Sequence, residues 1–227
     1  MRNIKLAIRP GGQIRTEPSK LAWRFSSNLA IVPSPLPPAS EAWRNSITAR
    51  ITAINDMLDT AAADLTLEQM NHFERRGVLP IAFSLIHVVG GQDRNVSRFI
   101  TRTPSLWESG DWKRKVGLVG EPPMRGTPMA DAEKIRFGNA DAWRGYQAAV
   151  FAKTENALAN APLEVFDRDA FDGKRPDDLK GGFLAMLVPS GTIRVREIIE
   201  AYIFQHAARH LGEIEHARAL VGLGGVS

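Results

Sequence analysis

The chain has 227 residues, 44% of them hydrophobic, which is enough to bury one sizeable core. It has no cysteine, which excludes disulfides, thiolate metal sites and a cysteine nucleophile, and fits a reducing, cytoplasmic setting. The net charge of +4 is uneven: residues 1–40 carry Arg2, Lys5, Arg9, Arg15, Lys20 and Arg24 against Glu17 alone, which leaves 23 of the 29 basic and 24 of the 25 acidic residues to 41–227. That near-neutral body lacks the basic groove of a nucleic-acid binder, and no apolar run is long enough to span a bilayer.

Residues 1–40 end in IVPSPLPPAS, an extended linker that cannot be a helix. The basic, acid-poor stretch before it lacks the long apolar run of a secretory signal. Its composition suits an organelle-type transit peptide, and a tail or read-through from an early start codon is the plainer reading. The fold is therefore expected from residue 41 onward, over 41–225.

Ser40 suits an N-cap, with Glu41 in the first turn. Trp43, Ile47, Ile51, Ile54, Met57 and Leu58 recur at helical spacing, marking a first long amphipathic helix. Thr66 and Gln69 form a capping box over a short helical segment. A second long helix is expected from Pro80 to about Arg102. It is apolar nearly all round between Val78 and Val89, and Gly90–Gly91 either weakens it or admits another backbone.

Residues 103–138 are rich in Pro, Gly and charge, and a connection of that length often lines a site. Trp107 and Trp112 are expected to pack it onto the helices. A third long helix follows Asn139, over Ala140–Ala159, and a polar connection interrupted by FLAML covers 161–190. A fourth runs from Thr192 to Val221 and stops at Gly222 and Gly224. Strand-like alternation is scarce, so the chain reads as all-α: a four-helix bundle with long connections between helices 2–3 and 3–4.

The candidate site lies in YIFQHAARHLGEIEHARAL. At about 100° per residue, Ile199, Tyr202, Ile203, His206, His210, Glu213, Ile214, Ala217 and Leu220 share one face. His206 and His210, four apart, are thus aimed inward, where an unpaired imidazole is costly and a pair can hold one cation. Packing and metal ligation stand about even on this motif alone. His87 is the candidate third ligand, although it points away from the Leu85–Val89–Val96 stripe of its helix and can equally be a core histidine bonded to a carbonyl. His72 and His216 read as surface or flanking residues. Glu213 shares the ligand face as an outer acceptor, a fourth ligand, a general base or the partner of an arginine.

Three stretches together resemble the DinB-like (DinB/YfiT) superfamily, a group of metalloenzymes, over nearly all of 41–225. IAFSLIHVVGGQDRNVSRFI resembles its apolar run, histidine and following polar cluster, here Gln92 and Asp93. PSLWESGDWKRKVGL resembles the tryptophan-bearing connection of one branch. HAARHLGEIEHARALVGLGG resembles its closing motif, on which His206, His210, Gly212 and Glu213 fall. Gly90–Gly91 and His216 depart from the family's usual residues. The resemblance implies up-down-down-up topology, one divalent metal on His87, His206 and His210 with water in the open positions, and a homodimer. Zinc or nickel is the expected metal, with iron and copper also suited to imidazole.

Three imidazoles leave an open coordination position, the layout of a catalytic site. The resemblance implies a thiol-dependent transferase or isomerase that activates a low-molecular-weight thiol cosubstrate against a small-molecule substrate. Glu213 or Asp93 would move a proton or orient a ligand histidine. The alternatives are a metal-dependent hydrolase and a non-catalytic helical module that binds a small ligand or a partner.

Overall fold

The computed structural model describes residues 39–179 and 182–226, without the side chain of Asp178. The reading of residues 1–40 as an extension therefore lies, save for Ala39 and Ser40, outside the described residues. The first long helix, α1, spans Glu41–Ala63, and the Ser40 hydroxyl accepts the Trp43 N–H at 3.2 Å. Ile47, Ile51 and Leu58 are fully buried, as their spacing requires. Thr66 and Gln69 close a reciprocal capping box over the short α2, Leu67–Met70.

α3 spans Ile81–Asn95, with Pro80 as its cap rather than its first helical residue. Every residue from Ile81 to Asp93 except His87 is buried. The helix continues as a π-helical turn, Val96–Thr101, which ends on Arg102 in the left-handed region at φ 53°. α3 runs unbroken through Gly90 and Gly91, and it is side chains, not another backbone, that approach there. A Cβ on Gly90 would stand 3.3 Å from Arg94 Nη1, and one on Gly91 would stand 3.6 Å from His206 Cε1.

The connection 103–138 is more ordered than its composition suggests. It carries α4 (Leu106–Ser109), α5 (Trp112–Val116) and α6 (Met129–Ala132), and Val119 bridges to Arg136. Trp107 and Trp112 pack its rings against Tyr146, at 5.0 and 5.5 Å between centroids. α7, Ala140–Asn160, is capped by Asn139, whose side-chain oxygen accepts the Ala142 N–H at 3.0 Å. Beyond it lie α8 (Leu163–Asp167), a 3-10 turn at Asp177–Leu179 and α9 (Phe183–Leu187).

The fourth long helix begins at Val195, three residues later than expected from sequence. The backbone just before it is committed elsewhere: Ile193 O accepts from Ala170 N at 2.8 Å, and Val195 N donates to Arg168 O at 3.0 Å. The helix is composite, with α10 (Val195–Ile198), a π-helical segment (Ile199–Gln205) and α11 (His206–Leu220). It ends in a Schellman motif: Gly222 N donates to Ala219 O and Leu223 N to Arg218 O, with Gly222 at φ 80°. Leu220, expected on the inner face, is 41% exposed because it sits in this last turn.

The long helices pack α1 on α7 and α11, and α3 on α7 and α11. Cross-contacts give their relative directions. Arg44 with Ala161 and Gln147 with Asp59 make α1 and α7 antiparallel. Arg50 with Glu200 and Asp64 with Arg218 make α1 and the fourth helix parallel. His87 with His210 and Asn95 with Tyr202 make α3 and the fourth helix antiparallel. Tyr146 with Asp93 and Lys153 with Ser97 make α3 and α7 parallel. The described residues hold no strand, only isolated bridges, so the fold is all-α. No described helix is long and apolar enough to cross a membrane.

Candidate metal centre

His87 stands on α3, where neighbouring positions are buried against other elements on several sides. That surround explains how a side chain off the Leu85–Val89–Val96 stripe still faces inward. His206 begins α11 at the end of the π-helical segment, and His210 follows one turn on. π-helical turns inside α-helices are rare and recur at functional sites, because the wider turn re-aims the side chains that follow. The antiparallel approach of α3 and α11 then brings the three rings together.

The geometry is tight. His206 Nε2 lies 3.2 Å from His87 Nε2 and 3.1 Å from His210 Nε2. One ring nitrogen from each of the three lies within 4.8 Å of the others, a group that could hold a metal ion. His210 is 5% exposed, while His87 and His206 are half-buried.

The outer nitrogens set the tautomers. His210 Nδ1 donates to Glu213 Oε2 at 2.7 Å, and His87 Nδ1 reaches Pro123 O at 3.5 Å. Both rings therefore turn a lone pair at Nε2 toward His206. The single Nε2–H that His206 can supply satisfies only one of them, so three neutral imidazoles alone leave a lone pair facing a lone pair. A cation removes that conflict. Two nitrogens bound at 2.0–2.1 Å to one tetrahedral ion stand about 3.3 Å apart, close to the spacings seen here. The residues present thus fit a divalent metal.

The charge state fits as well. Burial, and then the neighbouring His210, hold His87 down to about 4. Burial, and then His210 and His87, hold His206 down to about 3. Burial also lowers His210, against the opposing pull of Glu213. All three rings are neutral near pH 7, the form that ligates.

Glu213 stands outside the cluster. Its carboxylate joins His210 to Arg209, whose Nε lies 3.2 Å from Oε1, and its side chain is 40% exposed. It orients His210 and is paired with an arginine at once. Asp93 lies elsewhere. Its fully buried carboxylate accepts from Leu106 N, Trp107 N and Tyr146 Oη, each at 3.0 Å, and lies 3.3 Å from Lys153 Nζ. None of these partners is a histidine: Asp93 anchors the start of α4 and therefore the connection that reaches the site. Burial and Asp93 together push the Tyr146 hydroxyl up, so it stays a donor.

His72 pairs with Glu74 at the surface and His216 is exposed. Two groups near the cluster escaped the sequence reading. Pro123 O receives His87 and also Arg94 Nη2 at 3.3 Å. Arg94 fills the space that Gly90 and Gly91 leave open, and its pKa is lowered by burial. The two glycines followed at four and three residues by an arginine on the same helix were the available signal.

No family model and no curated protein matches the chain. Among solved structures, it is similar to the crystal structure of a conserved protein from Enterococcus faecalis, with 16% identity and a TM-score of 0.63. The match covers 79% of this chain and 97% of that one. At that identity the likeness speaks for the all-α fold alone.

Proposed function

We propose that the protein is a metal-dependent enzyme of the DinB-like (DinB/YfiT) kind, binding one divalent cation through Nε2 of His87, His206 and His210. The approach of His206 Nε2 to His87 Nε2 and His210 Nε2 at 3.2 and 3.1 Å, with tautomers that turn lone pairs inward, carries the reading. The helix directions support a four-helix bundle in up-down-down-up order. Zinc or nickel suits three imidazoles, with iron or copper as further occupants.

A divalent cation held there would lower the pKa of a small thiol or a water and stabilise the resulting anion. The protein's own groups do the rest. Glu213 holds His210 in the ligating tautomer and takes up positive charge that the ring acquires. Pro123 O does the same for His87 through a longer contact. Asp93 fixes the connection that carries Pro123, and so bounds the space in which a small substrate would sit. We assign the chemistry to transfer or isomerisation using a low-molecular-weight thiol, in a cytoplasmic homodimer.

The test is a panel of small thiols with electrophilic acceptors, run beside simple esters and amides, on zinc- and nickel-loaded protein. Thiol-dependent turnover that disappears in His206→Ala supports the assignment. Turnover of esters or amides without thiol makes the protein a hydrolase. No turnover with intact metal binding leaves a binding module and refutes the enzymatic reading.

A further inference from the structure

A cavity lies away from the three histidines, and its chemistry differs from theirs. It has a volume of about 530 Å³ and forms where the π-helical end of α3 meets the loop after α8 and the start of α10. Arg98, Arg102, Arg168 and Lys174 line it together with Phe99 and Phe171. Arg98 and Val195 each lie eleven positions along their helices from His87 and His206, which at 1.5 Å per residue is roughly 16 Å.

The four cations make no ion pair among the described residues. Among the described residues, none of the four stands within 4.0 Å of a carboxylate, although ion pairs of that length occur throughout the rest of the fold. Arg168 is half-buried, and its pKa is lowered by burial and then by the charge of Arg102. Its one hydrogen bond goes to Phe99 O, so most of its five N–H donors are unused. Arg98 lies over the Phe99 ring at 4.9 Å and the Phe171 ring at 6.0 Å.

Two carboxylates also line the cavity. Asp169 is occupied in closing its own loop, accepting Phe171 N at 2.8 Å and Gly173 N at 2.9 Å. Asp172 lies near enough to act electrostatically on Arg168 but forms no ion pair with it. Arg102 and Asp172 are two of the three described non-glycine residues at positive φ, at 53° and 51°. Such positions cost of order 1–3 kcal/mol and persist where the surroundings hold them, often at ligand clamps.

We propose that this cavity is a binding site for a small polyanion of the phosphate type, separate from the histidine cluster. Closely spaced oxyanions match the planar forks of Arg102 and Arg168, and a volume of this order is usual for a small-molecule site. The half-buried Phe171 ring offers a face to an apolar body attached to the phosphate. The site stands whether or not the histidines bind metal.

The test titrates the full chain with inorganic pyrophosphate, and then with phenyl phosphate, by calorimetry at low salt. Saturable binding of pyrophosphate at about 1 mM or tighter is expected, weakening as salt is added. Arg102→Gly removes one fork, and glycine accepts the positive φ without strain, so the variant stays folded. It should bind at least roughly tenfold more weakly while its melting temperature is kept or raised. Arg168→Gln gives the second reading with the same direction. His206→Ala, which empties the other site, should leave pyrophosphate affinity unchanged. Absence of saturable binding, equal affinity in Arg102→Gly and Arg168→Gln, or loss of binding in His206→Ala overturns the proposal. Phenyl phosphate binding tighter than inorganic phosphate supports Phe171 as the face for the apolar body, and equal binding removes that part.

Discussion

Replacing Glu213 by Gln tests how the site is tuned without touching a ligating atom. Glu213 Oε2 accepts from His210 Nδ1 at 2.7 Å, and Gln keeps an acceptor of the same reach while removing the charge. Loss of such an outer partner costs metal-histidine sites about 10–100-fold in affinity, or ~1.4–2.8 kcal/mol. The Glu213 side chain is 40% exposed and shares its charge with Arg209, so solvent screens it. The lower end, about tenfold, is the expected value. Glu213 raises the pKa of His210, so its loss moves that ring further from protonation, and any loss of affinity near pH 7 is not proton competition. Zinc affinity is read by competition with a chromophoric chelator, with circular dichroism as the check on folding. Wild-type affinity within twofold would refute the assignment of Glu213 to His210 and the metal.

Other predictions follow from the same contacts. Asp93→Ala strands Lys153 and the N–H groups of Leu106 and Trp107, and should destabilise the fold by about 3–5 kcal/mol in urea unfolding. A change below about 1 kcal/mol would contradict its anchoring role. Metal-free protein should be most stable above about pH 6.5, the unfolded histidine value, and lose stability as pH falls toward the folded values of about 4 and about 3. The unfolded chain takes up protons there while the buried rings do not, so His206→Leu should show a shallower decline between pH 7 and 5. An unchanged slope would contradict the burial argument. Gly91→Ala meets nothing nearer than 3.6 Å and improves helix propensity, so it should stabilise α3 by up to about 1 kcal/mol. A lower melting temperature would show that the space beside His206 is filled more tightly than the geometry gives.

The long helices were legible because their signals are local. Ser40, Thr66 with Gln69, and Asn139 cap helices through side chains three residues from the donors they satisfy. His206 and His210 were legible as a pair because four residues separate them on one helix. His87 was not decided by its own helix, since its inward position depends on what packs around α3 on several sides. The late start of the fourth helix came from a backbone pairing with residues more than twenty positions earlier. Its π-helical segment, Ile199–Gln205, departs from the fixed 100° wheel used to read the sequence. The partners of Asp93 come from the connection and from α7, neither of which the spacing within α3 reveals.

The central claim is that His87, His206 and His210 hold one metal ion. Elemental analysis of protein purified without added chelator, followed by zinc or nickel reconstitution, tests it most directly. About one ion per chain is expected in the wild type, and little or none in His206→Ala at unchanged helical content. Full occupancy in His206→Ala, or no binding by the folded wild type, would contradict it.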